Sequence, residues 1–461
     1  MSVLGTAENP LRVAVIGSGP SGFYAADHLL KQKDVIVKID MYDRLPTPYG
    51  LVRGGVAPDH QKIKSVTKVY EKTAAHPMFS FYGNVELGRD VTRQELKTRY
   101  HALIYAVGAQ SDRRMGIPGE DLNGSHPATD FVAWYNGHPD YRDLSFDLSQ
   151  ERVAIIGNGN VAVDVARILA SSIEELNRTD IADHALVALK KSNVKEIYMI
   201  GRRGPAQAAF TNAEIKELGE LEECAITIPG TEGALDEVSK KNLEAHPDSG
   251  VSKNLEIMKD YLDKTTDGKR KKMVLRFLWS PVELKGREGV EEIVLQKNIL
   301  VQDADGSIKA KGTEAKETIP VGLVFRSIGY KGVALKDVPF DEKKGIIPNA
   351  HGRVTELNGT VIPGEYTAGW IKRGPSGVIG TNKPDALESV NMLLEDVKSG
   401  HIHPIDQAAS TTDWLQSKKI RFVTFADWLK IDKAETEKGM ASGRPRIKFT
   451  RIEDMLHIAG V

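Results

Sequence analysis

Apolar and polar positions fall into the same arrangement at two places in the chain. Residues 11 to 30, LRVAVIGSGPSGFYAADHLL, set an apolar run before a glycine-rich turn and then a helical run with small residues on one face. Residues 152 to 170, RVAIIGNGNVAVDVARILA, repeat that order. Each apolar run predicts a strand that leads into the glycine turn. The two copies lie about a domain's length apart and no shorter period recurs, which excludes a solenoid. Further strands are predicted in HALIYAVGA (101 to 109), EIYMIG (196 to 201), MVLRFLWSPVEL, EEIVLQKNILVQ and VGLVFRSIGY. A charged segment runs from about Asp236 to Lys272, and the chain ends in a polar tail containing aromatic residues. The alternation of strands and helices predicts an α/β protein with two Rossmann-like dinucleotide-binding domains. One domain is expected to be inserted in the other, giving 1–106, 107–331 and 332–461 as first part, insert, and second part with tail.

Gly17-Ser18-Gly19-Pro20-Ser21-Gly22 is a complete G-x-G-x-x-G directly after the strand Val13 to Ile16. Gly17 permits the tight turn, Gly19 lets the backbone approach a pyrophosphate, and Gly22 lets helix and strand pack closely. A second apolar run, VIVKIDMYD, ends in Asp43, 21 residues after Gly22. A carboxylate there can accept hydrogen bonds from a ribose hydroxyl, so the first loop reads as a site for FAD or NAD.

The second loop is Gly157-Asn158-Gly159-Asn160-Val161-Ala162, with alanine at the third small position. The strand that follows ends in IGRRGP, where Arg202 and Arg203 replace the usual acid. An acid would repel the 2'-phosphate of NADPH, whereas two planar, permanently charged donors suit bidentate contact with it. The arginines therefore read as a 2'-phosphate clamp, and FAD becomes the simplest occupant of the first loop.

Composition narrows the chemistry further. Cys224 is the only cysteine, which excludes an internal disulfide, a CxxC redox pair and a cluster held by four thiolates of this chain. Lys plus Arg (62) almost balances Asp plus Glu (63), so no global charge argues for nucleic acid. No run reaches the roughly 18 apolar residues of a membrane span, and MSVLGTAENP lacks a targeting pattern, so a cytoplasmic location without membrane insertion is expected.

Five longer motifs then come into view: YGLVRGGVAPDHQKIK (49 to 64), GNGNVAVDVAR (157 to 167), IGRRGP (200 to 205), AAFTNAEIKEL (208 to 218) and GWIKRGPSGVIGTNK (369 to 383). With them the chain resembles the adrenodoxin reductase family, particularly its mycobacterial-type NADPH-ferredoxin reductases, over essentially its whole length. The resemblance implies a three-layer ββα-containing FAD domain built from both ends of the chain, with an inserted NADP domain. It implies FAD contacts from Gly17, Gly19, Pro20, Gly22, Asp43, Leu51, Val91, Trp370, Gly377, Val378 and Ile379. It likewise implies NADPH/NADP+ contacts from Asn158, Gly159, Asn160, Val161, Arg202, Arg203 and Glu214, with Gly377 touching both cofactors. His60 and Asp164 match a pair placed near flavin and nicotinamide, able to relay a proton or to orient the rings. Trp370 stands where many other two-dinucleotide flavoproteins carry an aspartate. No metal is implied.

The expected activity is hydride transfer from NADPH to FAD, followed by single-electron transfer to a ferredoxin-type iron–sulfur protein. Such partners are typically acidic, and two basic clusters are candidate docking surfaces: Lys269-Arg270-Lys271-Lys272, and Arg444 and Arg446 with Lys448. Two rival readings stay open. One is an NADPH diaphorase or quinone reductase, and the other is a non-catalytic NADP(H)-responsive flavin-binding protein. The related NADPH-oxidising subunit of glutamate synthase is disfavoured, because it needs cysteine-held clusters.

Overall fold

The structure is a computed structural model that describes residues 3–265, 268–405 and 410–461. The chain forms two compact units, Met1–Ser111 with Gly329–Val461, and Asp112–Ile328. It passes between them at 111/112 and 328/329, a few residues from the crossings expected near 106 and 331.

The outer unit is built on a seven-stranded sheet in the order Asn349–Ala350, Arg353–Thr355, Val361–Thr367, Ala102–Tyr105, Leu11–Ile16, Val37–Tyr42, Phe79–Tyr82. The last five strands are parallel, and the first two extend the sheet antiparallel. Leu11–Ile16 is buried along its whole length. Its side chains alternate, Val13 and Val15 joining one apolar cluster while Ala14 and Ile16 join another on the opposite face. The C-terminal segment, read from sequence as a polar tail, supplies core to both faces. Trp428, Ile431, Met455 and Leu456 are buried in the first cluster, and Trp414 and Leu415 in the second. Only one stripe of each tail helix is apolar, and that stripe faces inward.

The inserted unit carries a six-stranded sheet in the order Ser125–Pro127, Leu323–Arg326, Arg152–Ile156, Glu196–Gly201, Lys271–Phe277, Cys224–Thr227. Every pairing in it is parallel. The charged segment predicted from Asp236 resolves into the helices Glu237–Ala245 and Ser249–Lys259. An antiparallel three-stranded sheet follows, Trp279–Lys285, Glu292–Gln302 and Ile308–Pro320. No helix among the described residues is long and apolar enough to cross a membrane.

Candidate functional site

In the outer unit the first glycine loop follows the strand Leu11–Ile16, which is flanked by its neighbours on both sides, so the loop opens where the strand order reverses. Gly17 has φ +105°, and a Cβ there would lie 2.4 Å from the Ala106 carbonyl oxygen. A Cβ on Gly22 would lie 2.1 Å from the Gly17 oxygen, which is the close helix–strand packing read from the motif. At Gly19 a Cβ would meet nothing within 4 Å. Gly19 is also the N-cap of the helix Pro20–Leu30, and no side chain caps that helix. The loop thus presents bare backbone and uncapped N–H groups on an open side, a fit for a pyrophosphate.

Asp43 lies at this loop, though it is not an unengaged carboxylate awaiting a ribose. Its Oδ2 accepts from the Ser18 N–H at 3.0 Å and from Ser18 Oγ at 2.5 Å, and its Oδ1 accepts from the Leu45 N–H at 3.0 Å. Those bonds brace the loop, and about one of its four lone-pair positions is left for a ligand.

Two distant segments of the outer unit close around the same loop. The Tyr49 N–H donates to the Ser18 carbonyl at 3.0 Å, and a Cβ on Gly50 would lie 3.0 Å from Gly19 Cα. Leu51, 39% exposed, begins the short helix Leu51–Gly54. From the far end of the sequence, Gly369 approaches so closely that a Cβ there would lie 2.0 Å from Ser21 Oγ. Ser21 Oγ donates to Asn382 Oδ1 at 3.0 Å, and Asp385 Oδ2 accepts the Gly369 N–H at 2.5 Å. Trp370 donates through its indole N–H to the Ser376 carbonyl, and its ring lies 5.3 Å from that of Tyr330. In the turn that follows, Gly377 adopts φ +79°, Val378 is exposed and Ile379 half-buried. Val91 is buried in the core behind the sheet. His60 sits at the N-cap position of Gln61–Lys64, and its side chain makes no capping hydrogen bond to that helix.

In the inserted unit the second loop repeats the geometry. Gly157 has φ +134°, and a Cβ there would lie 2.2 Å from the Ser327 carbonyl oxygen. Gly159, N-cap of the helix Asn160–Ala170, is again without a side-chain cap, and a Cβ there would meet only Ala209 Cβ, at 3.9 Å. Ala162 is fully buried, and Val161 packs against the core. The segment after the arginines folds back onto this loop: the Ala209 N–H donates to the Asn158 carbonyl at 3.0 Å, and the Thr211 N–H to Asn160 Oδ1 at 2.9 Å.

Arg202 and Arg203 follow the strand Glu196–Gly201 at its carboxyl end, Arg202 exposed and Arg203 half-buried. Among the described residues neither guanidinium is ion-paired with a carboxylate. Burial, and then the neighbouring Arg202 charge, hold the Arg203 guanidinium below its ordinary pKa. Two adjacent, uncompensated positive charges at the carboxyl edge of a parallel sheet fit a dianionic phosphate.

Asp164 and Glu214 are brought together by a residue the sequence reading did not single out. Arg167 is buried and donates at 2.8 Å to both Asp164 and Glu214. The i, i+3 spacing of Asp164 and Arg167 on one helix was the available signal. Nothing local signalled the roles of Ser21 and Asn382, which lie 361 positions apart, or of Asp385, which accepts from Gly369 16 positions earlier.

The two basic clusters expected to dock a partner are largely turned inward. Lys269 Nζ donates to the Leu221 and Cys224 carbonyls. Lys271 Nζ donates to those of Leu169 and Ser171, at the C-terminal end of the helix Asn160–Ala170. Burial lowers the Lys271 pKa, yet the orphan carbonyls of a helix end are natural partners for a lysine. Arg446 pairs with Asp432 and Glu435, and the buried Lys448 donates to the Arg53 carbonyl. Arg444 is 6% exposed. Lys269 and Arg270 are exposed, although Lys269 Nζ is held by the two carbonyls and Arg270 pairs with Glu223, and Lys272 is half-buried.

The pyridine nucleotide-disulphide oxidoreductase family model matches residues 11–202. The chain is similar to the NADPH-ferredoxin reductase FprA of Mycobacterium tuberculosis, with 48% identity over 459 residues covering 97% of this chain and 99% of that protein. It is also similar to the mitochondrial NADPH:adrenodoxin oxidoreductase of Salvelinus fontinalis, at 40% identity over 97% of this chain and 91% of that one. The solved structure of Mycobacterium tuberculosis FprA in complex with NADPH matches with a TM-score of 0.92, 47% identity, and coverage of 98% of this chain and 100% of that chain.

Proposed function

The chain belongs to the adrenodoxin reductase family, in its FprA-type branch, and we propose that it is an FAD-dependent NADPH-ferredoxin oxidoreductase. The observation that carries the choice of donor is the Arg202–Arg203 pair, placed beyond the second loop without a carboxylate partner. FAD, when bound, would supply the redox chemistry that links a two-electron hydride donor to a one-electron iron–sulfur acceptor.

The chain's own residues bind and orient. Gly17, Gly19, Pro20 and Gly22 cradle the FAD pyrophosphate, with Asp43 stiffening that loop through Ser18. Trp370 and the Gly377-Val378-Ile379 turn form the flavin end of the outer site, and Leu51 and Val91 are further FAD-contacting positions, Val91 from within the core. Asn158, Gly159, Asn160 and Val161 hold the NADPH pyrophosphate. Arg202 and Arg203 take its 2'-phosphate, which makes the site prefer NADPH to NADH. Glu214 and Asp164, both fixed by Arg167, orient the nucleotide rather than relay protons. His60, at the start of the helix Gln61–Lys64, is the partner that the family motif sets beside the flavin, to relay a proton or to orient the ring. An acidic ferredoxin-type protein is the electron acceptor, and the reaction needs neither nucleic acid nor a membrane.

The test is an anaerobic titration of the purified yellow protein followed by addition of a ferredoxin. NADPH should bleach the flavin band quickly, NADH slowly, and oxidised ferredoxin should restore it. Equal bleaching by the two nucleotides would remove the clamp. Restoration by a quinone but not by any ferredoxin would favour the diaphorase reading.

A further inference from the structure

The sheet of the inserted unit stops at Gly201, so the main chain of Arg202 and Arg203 has no ladder to bind and must find other partners. One partner is the residue that leads into the antiparallel sheet that follows, and the other comes from that sheet itself. The Leu278 N–H donates to the Arg203 carbonyl at 3.1 Å, and Asn298 Nδ2 donates to the Arg202 carbonyl at 2.8 Å. Leu278 links the strands Lys271–Phe277 and Trp279–Lys285 with φ +64°, a left-handed conformation uncommon for a bulky residue. Its carbonyl accepts the Asn298 N–H at 2.7 Å, tying the two contacts into one unit.

Asn298 is 3% exposed and lies where the register of Glu292–Gln302 shifts against Ile308–Pro320, between Gln296 and Asn298. A bulge of this kind re-aims a side chain. The second hydrogen of the Asn298 amide goes to Ser280 Oγ at 2.8 Å, so both of its donors are used. The Arg202 carbonyl can only accept, which fixes the amide nitrogen, not its oxygen, toward it.

We infer that Asn298 is a positioning residue for the Arg202–Arg203 pair and thereby a determinant of the preference for NADPH over NADH. This rests on the phosphate-clamp reading. Long side chains anchored on a fixed backbone lose less freedom when they close on a ligand than the same side chains on a loose loop. The hydrogen bond from Asn298 goes to the main chain of the clamp, so its loss acts on recognition of the 2'-phosphate and not on the glycine loop.

The experiment measures binding of 2',5'-ADP and of 5'-AMP to the FAD-loaded protein by calorimetry. Asn298→Leu keeps the volume and removes both donors, and should weaken 2',5'-ADP about tenfold while leaving 5'-AMP within about twofold. KM for NADPH should rise with kcat and the KM for NADH unchanged. Ser280→Ala removes only the hydroxyl that orients the amide and should act in the same direction to a smaller extent. Equal weakening of both ligands, or none, in a folded Asn298→Leu protein overturns the inference. If Asn298→Leu does not fold, Ser280→Ala decides by the same selectivity. Arg202→Ala and Arg203→Ala separate the two failures. Unchanged 2',5'-ADP affinity in those variants removes the clamp itself, whereas loss there beside a normal Asn298→Leu removes only the positioning role.

Discussion

Ser21 Oγ donates to Asn382 Oδ1 at 3.0 Å across 361 positions of sequence. The bond joins the helix that opens on the first glycine loop to the turn that carries Trp370 and Gly377, so one dinucleotide site is assembled from both ends of the chain. Asn382 also accepts from Arg373 and donates to the Ile379 carbonyl, which makes it the point where the late turn is pinned.

Asn382→Ala should therefore weaken retention of FAD about tenfold, because a buried hydrogen-bonded set is lost, with little change at the second site. Flavin release on dilution measures the first effect and 2',5'-ADP binding the second. A variant that holds FAD normally would show the pinning to be dispensable.

Arg202→Ala and Arg203→Ala should each raise KM for NADPH by about 10- to 100-fold, the size of one lost charge-assisted bond, and leave NADH kinetics nearly unchanged. Parallel changes for the two nucleotides would contradict the assignment of the 2'-phosphate.

Arg167→Leu removes the shared partner of two carboxylates, Asp164 and Glu214, that are 9% and 5% exposed. Taking a charged hydrogen-bond donor from two buried carboxylates costs about 1–3 kcal/mol, so the urea midpoint of the inserted unit should drop accordingly. The double change Arg167→Leu with Glu214→Gln should recover part of that loss.

His101 is buried, and its Nδ1 accepts the Arg12 N–H at 3.0 Å. Burial first, then the Arg12 and His403 charges, lower its pKa from 6.5 to about 4. Between those values the unfolded chain binds a proton that the folded chain refuses, so stability falls as pH drops through that window, by about 2 kcal/mol at pH 5 relative to pH 7.5. His101→Asn retains an acceptor for the Arg12 N–H and should flatten the pH dependence by that amount in urea unfolding at the two pH values.

Trp428 is 1% exposed, its ring meets Tyr49 edge-on at 5.8 Å, and the Arg53 guanidinium lies 5.2 Å from its centre. Trp428→Ala should destabilise the outer unit by about 3–5 kcal/mol in thermal or urea unfolding. An unchanged midpoint would mean that the C-terminal segment is only an appendage.

The strands and glycine loops were legible in the sequence because their signals are local. Leu11–Ile16 is a continuous apolar run, and Gly17 and Gly157 each take a positive φ that the motif demands. The arginine pair was visible too, since two arginines stand where an acid is usual, and both follow the carboxyl end of their strand. What escaped depends on distant partners. Lys269, Lys271, Arg446 and Lys448 read as surface charge until the carbonyls and carboxylates that take them come into place. Asn298 lies far in sequence from the arginine whose carbonyl it binds. The tail looked polar because a helix that buries one stripe is polar everywhere else.

The interrupted outer unit has a consequence for how the protein is made. During synthesis the inserted unit, one contiguous stretch from Asp112 to Ile328, leaves the ribosome whole, while the sheet of the outer unit still lacks Val361–Thr367 and the turn bound by Ser21. Domains fold as units as they emerge, so the NADPH-binding half is complete first and the flavin waits for the segment from Val361 to Asn382. A nascent chain stalled before Gly369 should bind 2',5'-ADP and remain colourless.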